Sequence, residues 1–302
     1  MSEPESTDPS SEPMMIRLRV AAEAGAVHRA LTDATAMRTW LAEHAEVALP
    51  HRYAFWGPTT PAGDVPRQEL LHVDERTLRF GWRVEDTDTI VEITLAARGP
   101  GETVLTLTQT GLPGFAEMVT EATTLSQLHT FWALSLVNLV DHVEGRELTP
   151  KCDFTTPVMR TELFVDAAPR AVFDSLLDAD TFSRWFGAKV EIEPHVGGRW
   201  AMGGLEQDTA PAKIVELEPG RALSLVWDDG LVASWELEGS EGRTRLTFVQ
   251  SGFDGNRPPY GAWMGWLSGF AELRRFHELA DWRPRWLEVR VEGMPDGMLV
   301  LE

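Results

Sequence analysis

Residues Met15 to Val20 alternate apolar and polar side chains, the pattern of a strand with one buried face. Val158 to Val165 shows the same alternation. Each of these strands is followed by a short helical stretch, with apolar residues at Val27, Leu31 and Ala34 or at Val172, Phe173 and Leu176. Pro169 sits where a first helical turn tolerates it. Asp33 and Asp178 then mark a break before a second short helix, which ends in Trp40-Leu41 or Trp185-Phe186. From there the period becomes two. Strands are predicted over 45–49, 52–56, 68–73, 78–84, 90–96 and 103–110, and again over 190–193, 199–202, 212–217, 222–227, 232–237 and 244–250. Turns such as Glu218-Pro219-Gly220 and Asp228-Asp229-Gly230 separate them, and such short turns predict an antiparallel meander. A long amphipathic helix closes each series. Leu125, Leu128, Trp132, Leu136, Leu139 and Val143 step by three or four, as do Trp263, Trp266, Phe270, Leu273 and His277.

The two series are one pattern written twice. Val20 to Trp40-Leu41 matches Val165 to Trp185-Phe186, Thr103 to Gly111 matches Thr244 to Gly252, and Trp132 matches Trp266. Landmarks repeated in the same order are the signature of an internal duplication. The predicted class is α+β: two tandem domains, each a curved antiparallel sheet of about seven strands gripping a long C-terminal helix, with two short helices after the first strand. The expected boundaries are a disordered tail over 1–14, domain 1 over 15–147, a linker over 148–157, domain 2 over 158–281 and a C-terminal extension over 282–302. Within that extension, Leu287 to Val291 and Met298 to Leu301 read as one or two added strands. Gly111 to Trp132 is longer than Gly252 to Trp266 by seven residues, two helical turns. Either the long helix of domain 1 begins earlier or a flap lies there.

Composition narrows the chemistry. The formal net charge of -20 over 302 residues argues against nucleic acid and anionic membrane surfaces as partners. The first 13 residues are acidic and rich in proline and serine, unlike a signal peptide, and the longest nearly apolar run, Phe131 to Val140, is too short to cross a bilayer. A cytoplasmic protein, monomeric or weakly dimeric, is expected. The single cysteine, Cys152, reads as an incidental thiol in the linker. The eight histidines include no pair with metal-ligand spacing on one face, so neither metal nor cofactor is predicted. Twelve tryptophans against two tyrosines imply either generously packed cores or a cavity lined with indole.

Further motifs resemble a known family. They are Ala167-Ala-Pro-Arg-Ala-Val-Phe173, Phe182-Ser-Arg-Trp-Phe186, Gly197-Gly-Arg-Trp200, Ile214-Val-Glu-Leu-Glu-Pro219, Leu223-Ser-Leu-Val-Trp227, Thr244-Arg-Leu-Thr-Phe248 and Trp266 with Phe270 and Leu273. Together they are similar to the helix-grip proteins of the START/SRPBCC superfamily, in the branch named after activators of the 90-kDa heat-shock chaperone ATPase. Residues 159–280 fit nearly throughout. Residues 15–145 depart from the pattern, with Pro50-His-Arg-Tyr53 in place of Gly197-Gly-Arg-Trp200 and Glu75 in place of the turn proline. An asymmetric pair of domains is therefore expected.

The resemblance implies a cavity between sheet and helix, suited to an apolar small-molecule ligand. Carried onto this chain, the inward candidates in domain 2 are Trp200, Met202, Trp227, Trp235, Phe248, Trp263, Trp266 and Phe270. In domain 1 they are Tyr53, Phe55, Trp82, Leu107, His129 and Trp132. Any single aromatic residue at these spacings reads more often as plain core, and it is their number that points to a cavity. Gln109 and Gln250 end the last strand of each repeat, where they either cap the turn or face a ligand. No catalytic motif is present. Only His129 and Gln250 offer polar groups that could assist a reaction, and His129 also fits a satisfied core histidine. The expected function is binding of an extended apolar or polyaromatic molecule, polyketide-like, in secondary-metabolite biosynthesis or self-resistance. The alternatives are a polyketide cyclase or aromatase, and a co-chaperone that activates a chaperone ATPase.

Overall fold

The computed structural model describes residues 12–120, 123–299 and 301. Most of the predicted tail lies outside the described residues, and Met14, placed in that tail, instead opens the first strand and is buried. The chain divides into two compact units, one running through Leu148 with Cys152–Thr155 and Arg285–Met294, the other formed by Thr149–Lys151, Thr156–Pro284 and the residues from Pro295 onward.

In the first unit the order is β1 (Met14–Val20), α1 (Ala24–Thr32), α2 (Ala34–Trp40), β2 (His44–Ala48), β3 (Arg52–Trp56), β4 (Gln68–Val73), β5 (Thr77–Val84), β6 (Thr87–Gly99), β7 (Glu102–Gln109), α3 (Phe115–Thr120) and α4 (Thr124–Val143). The second unit repeats it as β8 (Met159–Val165), α5 (Pro169–Leu177), α6 (Ala179–Phe186), β9 (Val190–Ile192), β10 (Arg199–Met202), β11 (Ala212–Glu218), β12 (Ala222–Val226), β13 (Val232–Ser240), β14 (Arg243–Ser251) and α7 (Tyr260–Glu278). Both are helix-grip domains: antiparallel sheets with a long helix whose buried face packs onto them.

The duplication extends to individual hydrogen bonds. The Trp40 indole donates to the Ala30 carbonyl at 2.9 Å, and the Trp185 indole donates to the Ser175 carbonyl at the same distance. Asp33 and Asp178 cap α2 and α6 by accepting from the amides of Ala36 and Thr181. Thr103 and Thr244 donate to the carbonyls of Ala22 and Ala167. These bonds hold the first helices and the sheet of each domain in the same relation.

Three differences separate the copies. In domain 2 the seven strands form one sheet, because β10 pairs with β11 through Trp200 and Ala212. In domain 1 the equivalent position is Gln68, whose side-chain oxygen accepts from the Phe55 amide at 3.1 Å, and β2–β3 stands as a separate ladder. Second, the seven extra residues make a short helix of their own, α3, rather than a much longer α4.

Third, the extension supplies β15 (Trp286–Arg290), which pairs with β1 of domain 1, while the other predicted strand makes only an isolated bridge, Leu299 with Ala188. Ahead of β15 the guanidinium of Arg285 is fully buried, 2.9 Å from the Val137 carbonyl and 3.3 Å from Asp141 on α4. Among the described strands, β8 has only β14 as neighbour. Cys152 is buried, and burial pushes its thiol pKa up.

Candidate ligand-binding site

Domain 2 gathers its rings around Trp266 of α7. The centroids of Trp235 (5.0 Å), Phe248 (5.4 Å), Phe186 (5.5 Å) and Trp200 (5.7 Å) surround it. Trp263 and Phe270, a turn to either side on the same helix, both lie against Phe248. Phe186 reaches the helix because Gly265 and Gly269 leave room. A Cβ on Gly269 would stand 2.7 Å from the Phe186 ring. Trp227, just past β12, is half-buried and 6.2 Å from Trp200. Met202 is not part of this wall. It is 40% exposed, being the last residue of a four-residue strand, followed by Gly203 and Gly204 with positive φ that turn the chain away.

Polar atoms lie among these rings without partners. The indole nitrogens of Trp200 and Trp235, both amide atoms of Gln250 and the hydroxyl of Thr161 are buried and make no hydrogen bond. Their placement follows from register. Thr161, Phe248 and Trp235 are direct cross-strand neighbours on β8, β14 and β13, and Gln250 lies two residues beyond Phe248. Direct neighbours and alternate residues share a face. That face is the one on which Phe248 and Trp235 meet Trp266.

Domain 1 fills the same positions differently: Ile93 and Ile16 stand where domain 2 has Trp235 and Thr161, and its glutamine is bonded. Phe131 stands where domain 2 has Gly265, and Phe55, fully buried, where it has exposed Met202. Phe55 stacks on Phe131 and meets Trp82 and Trp132 edge-on, with centroids 5.1 to 6.4 Å apart. Tyr53 packs on Phe55 and Phe80, and burial raises its phenol pKa. A hydrogen-bonded chain crosses this core. The Trp132 indole donates to Gln109 at 2.5 Å, the Gln109 amide donates to the Thr89 hydroxyl at 2.9 Å, and Thr89 donates to the Trp82 carbonyl at 2.8 Å.

His129 is buried with Nε2 3.0 Å from the Pro113 carbonyl, an acceptor only, so that nitrogen carries the proton. Burial lowers its pKa to about 4, the Pro113 bond opposing. Its counterpart in domain 2 is Trp263. His277 lies 3.1 Å from the Ser175 hydroxyl. Arg199 pairs with Glu193, holding that carboxyl near pKa 2, and Arg184 stacks over Phe276 and Trp282. Among the described residues no group of three or more metal-ligating side chains converges. No described helix is long and apolar enough to cross a membrane.

Sequence reasoning passed over Thr161 and Thr89. Thr161 was detectable as the one polar residue in the buried series Met159, Thr161, Leu163 and Val165. Thr89 carried no such mark, because its importance lies in meeting Gln109 across two strands.

The sequence profile of the family described as Activator of Hsp90 ATPase homolog 1-like protein matches residues 21–144 and again 166–278. The chain belongs to this family, with two copies of its domain. Among solved structures, protein MLL2253 from Mesorhizobium loti is 24% identical over 41% of this chain and 99% of its own, with a TM-score of 0.36. The Aha1 dimer from Colwellia psychrerythraea is 16% identical over 41% of this chain and 98% of its own, with a TM-score of 0.37. CalU16 from Micromonospora echinospora is 20% identical over 40% of this chain and 75% of its own, with a TM-score of 0.34. No curated protein matches the chain. Of the two copies, domain 1 has the hydrogen-bonded Trp132–Gln109–Thr89 chain and domain 2 the aromatic wall with unmatched polar groups.

Proposed function

We propose that domain 2 binds an extended apolar or polyaromatic small molecule, polyketide-like in character, and that domain 1 is a packed companion without a ligand of its own. The carrying observation is the contrast between the two interiors. Buried polar groups in folded proteins are almost always partnered, and at the strand end facing the long helix of domain 1 Trp132, Gln109 and Thr89 obey that rule. Domain 2 leaves the equivalent glutamine and two indoles unmatched beside a half-buried tryptophan. Apolar walls with a few convergent polar groups are the usual composition of small-molecule sites.

Binding is favoured over a cyclase reaction because neither candidate is equipped for proton transfer. The Gln250 amide does not titrate near neutral pH, and burial keeps the His129 imidazole a weak base, its pKa lowered to about 4. Secondary-metabolite biosynthesis or self-resistance is the setting that this ligand class implies.

Titration of the intrinsic tryptophan fluorescence with a panel of polyenes and polycyclic aromatics tests the reading. Saturable quenching is expected, weakened in Trp227→Phe, whose side chain stands at the edge of the wall. No response to any member of the panel would overturn it.

A further inference from the structure

The unpartnered groups specify more than an apolar ligand. Each indole can only donate, the Gln250 amide both donates and accepts, and the Thr161 hydroxyl does either. None of the four carries charge. A hydrocarbon placed against them would leave every one unmatched, as in the free protein, and gain nothing from them, whereas a ligand with oxygens in reach gains each bond it makes. The complementary molecule is a neutral aromatic with at least two oxygen acceptors and one hydroxyl.

We infer, resting on the binding reading above, that domain 2 selects phenolic or keto-phenolic aromatics over bare hydrocarbons, with Gln250, Trp235, Trp200 and Thr161 as its specificity-determining residues. The geometry points to this because Thr161 and Trp235 flank Phe248 on adjacent strands, Gln250 lies on the same face, and the Trp200 ring lies 5.7 Å from Trp266, which that face also meets. All four side chains are at most 5% exposed. The duplicated partner supplies the internal control. Gln109 ends β7 as Gln250 lies near the end of β14, yet its two polar atoms are both engaged.

One substitution made in both copies reads this directly. Leucine in place of an unmatched buried glutamine removes a penalty, whereas leucine in place of a bonded one strands its partners. In the ligand-free full-length protein, Gln250→Leu is expected to raise the melting temperature by about 2 to 4 °C and Gln109→Leu to lower it by at least as much. Calorimetric titration with naphthalene, 2-naphthol and 2,7-dihydroxynaphthalene supplies the second arm. Affinity is expected to rise by about 2- to 10-fold with each hydroxyl, although each hydroxyl makes the probe more water-soluble. In Gln250→Leu and Trp235→Phe that gain shrinks while naphthalene binds as before.

Destabilisation by Gln250→Leu comparable to that of Gln109→Leu would overturn the inference, since it would mean that Gln250 is already satisfied in the free protein. So would affinities that follow apolarity, with naphthalene tightest, and that result would leave the binding reading standing. Binding of none of the three probes, together with silence across the wider fluorescence panel, would fail the binding reading itself and the inference with it. Should Gln250→Leu not fold, Thr161→Val carries the same test of sign.

Discussion

Burial holds the His129 imidazole near a pKa of about 4, against 6.5 for the free side chain. The unfolded chain therefore takes up a proton between about pH 6.5 and 4 that the folded chain refuses. Stability contributed by this group is full above pH 6.5 and is lost as the pH falls through that window, levelling off below about pH 4. The shift corresponds to at most about 3 kcal/mol. His277, lowered by burial as well, works in the same direction. The difference in urea midpoint between the wild-type protein and His129→Gln is expected to change between pH 7 and pH 4.5, with the wild type losing more. An unchanged difference would show that the imidazole is already accessible to protons. The candidate list was readable at this scale only as residue types. Gln109 and Gln250 occupy matching places in the two repeats, and nothing local distinguishes the glutamine that is bonded from the one that is not.

Periodicity revealed the elements well because it records which side of each strand or helix is buried. β3, β4 and β10 span the predicted residues, and α4 begins at Thr124, one residue before its predicted apolar face. The longer link before α4 was ambiguous, since two turns of helix can be added to an existing helix or stand alone. Here the Phe115 amide is held by the Glu292 carbonyl at 2.8 Å, and α3 forms as a separate piece. The same returning segment carries β15, which covers the hydrogen-bonding edge of β1. An uncovered strand edge invites pairing with another chain. Truncation after Pro284 removes β15 and breaks the buried Arg285–Asp141 pair. Breaking a buried pair in this way costs about 3–5 kcal/mol. Faster amide exchange in β1 and concentration-dependent association on size exclusion are the expected results. Exchange in β1 as slow as in the intact chain would show that the edge needs no cover.

At the scale of the whole molecule the two copies share a scaffold and differ in their interiors. Identical bonds at Trp40 and Trp185, and at Thr103 and Thr244, keep the frame constant. Exchange of Gly265 for Phe131 and of exposed Met202 for buried Phe55 redistributes the ring volume inside it. A bound aromatic should therefore slow amide exchange in β10, β13, β14 and α7 while leaving β5, β6 and α4 unchanged. Hydrogen exchange read by mass spectrometry, with and without 2,7-dihydroxynaphthalene, checks this. Equal protection in both domains would contradict the assigned asymmetry.

The amino-acid sequence by itself determined the order of elements, the duplication and the family, because each rests on spacing along the chain or on recurring motifs. It also marked domain 1 as the copy that had departed from the pattern. Only the tertiary structure decided that β15 belongs to the sheet of domain 1, that Met202 lies outside the aromatic wall, and which glutamine has partners. Burial of one face is dictated by local backbone geometry and leaves a periodic trace. Pairing between Trp132 and Gln109, or between Arg285 and Asp141, depends on distances closed by the whole fold and leaves none.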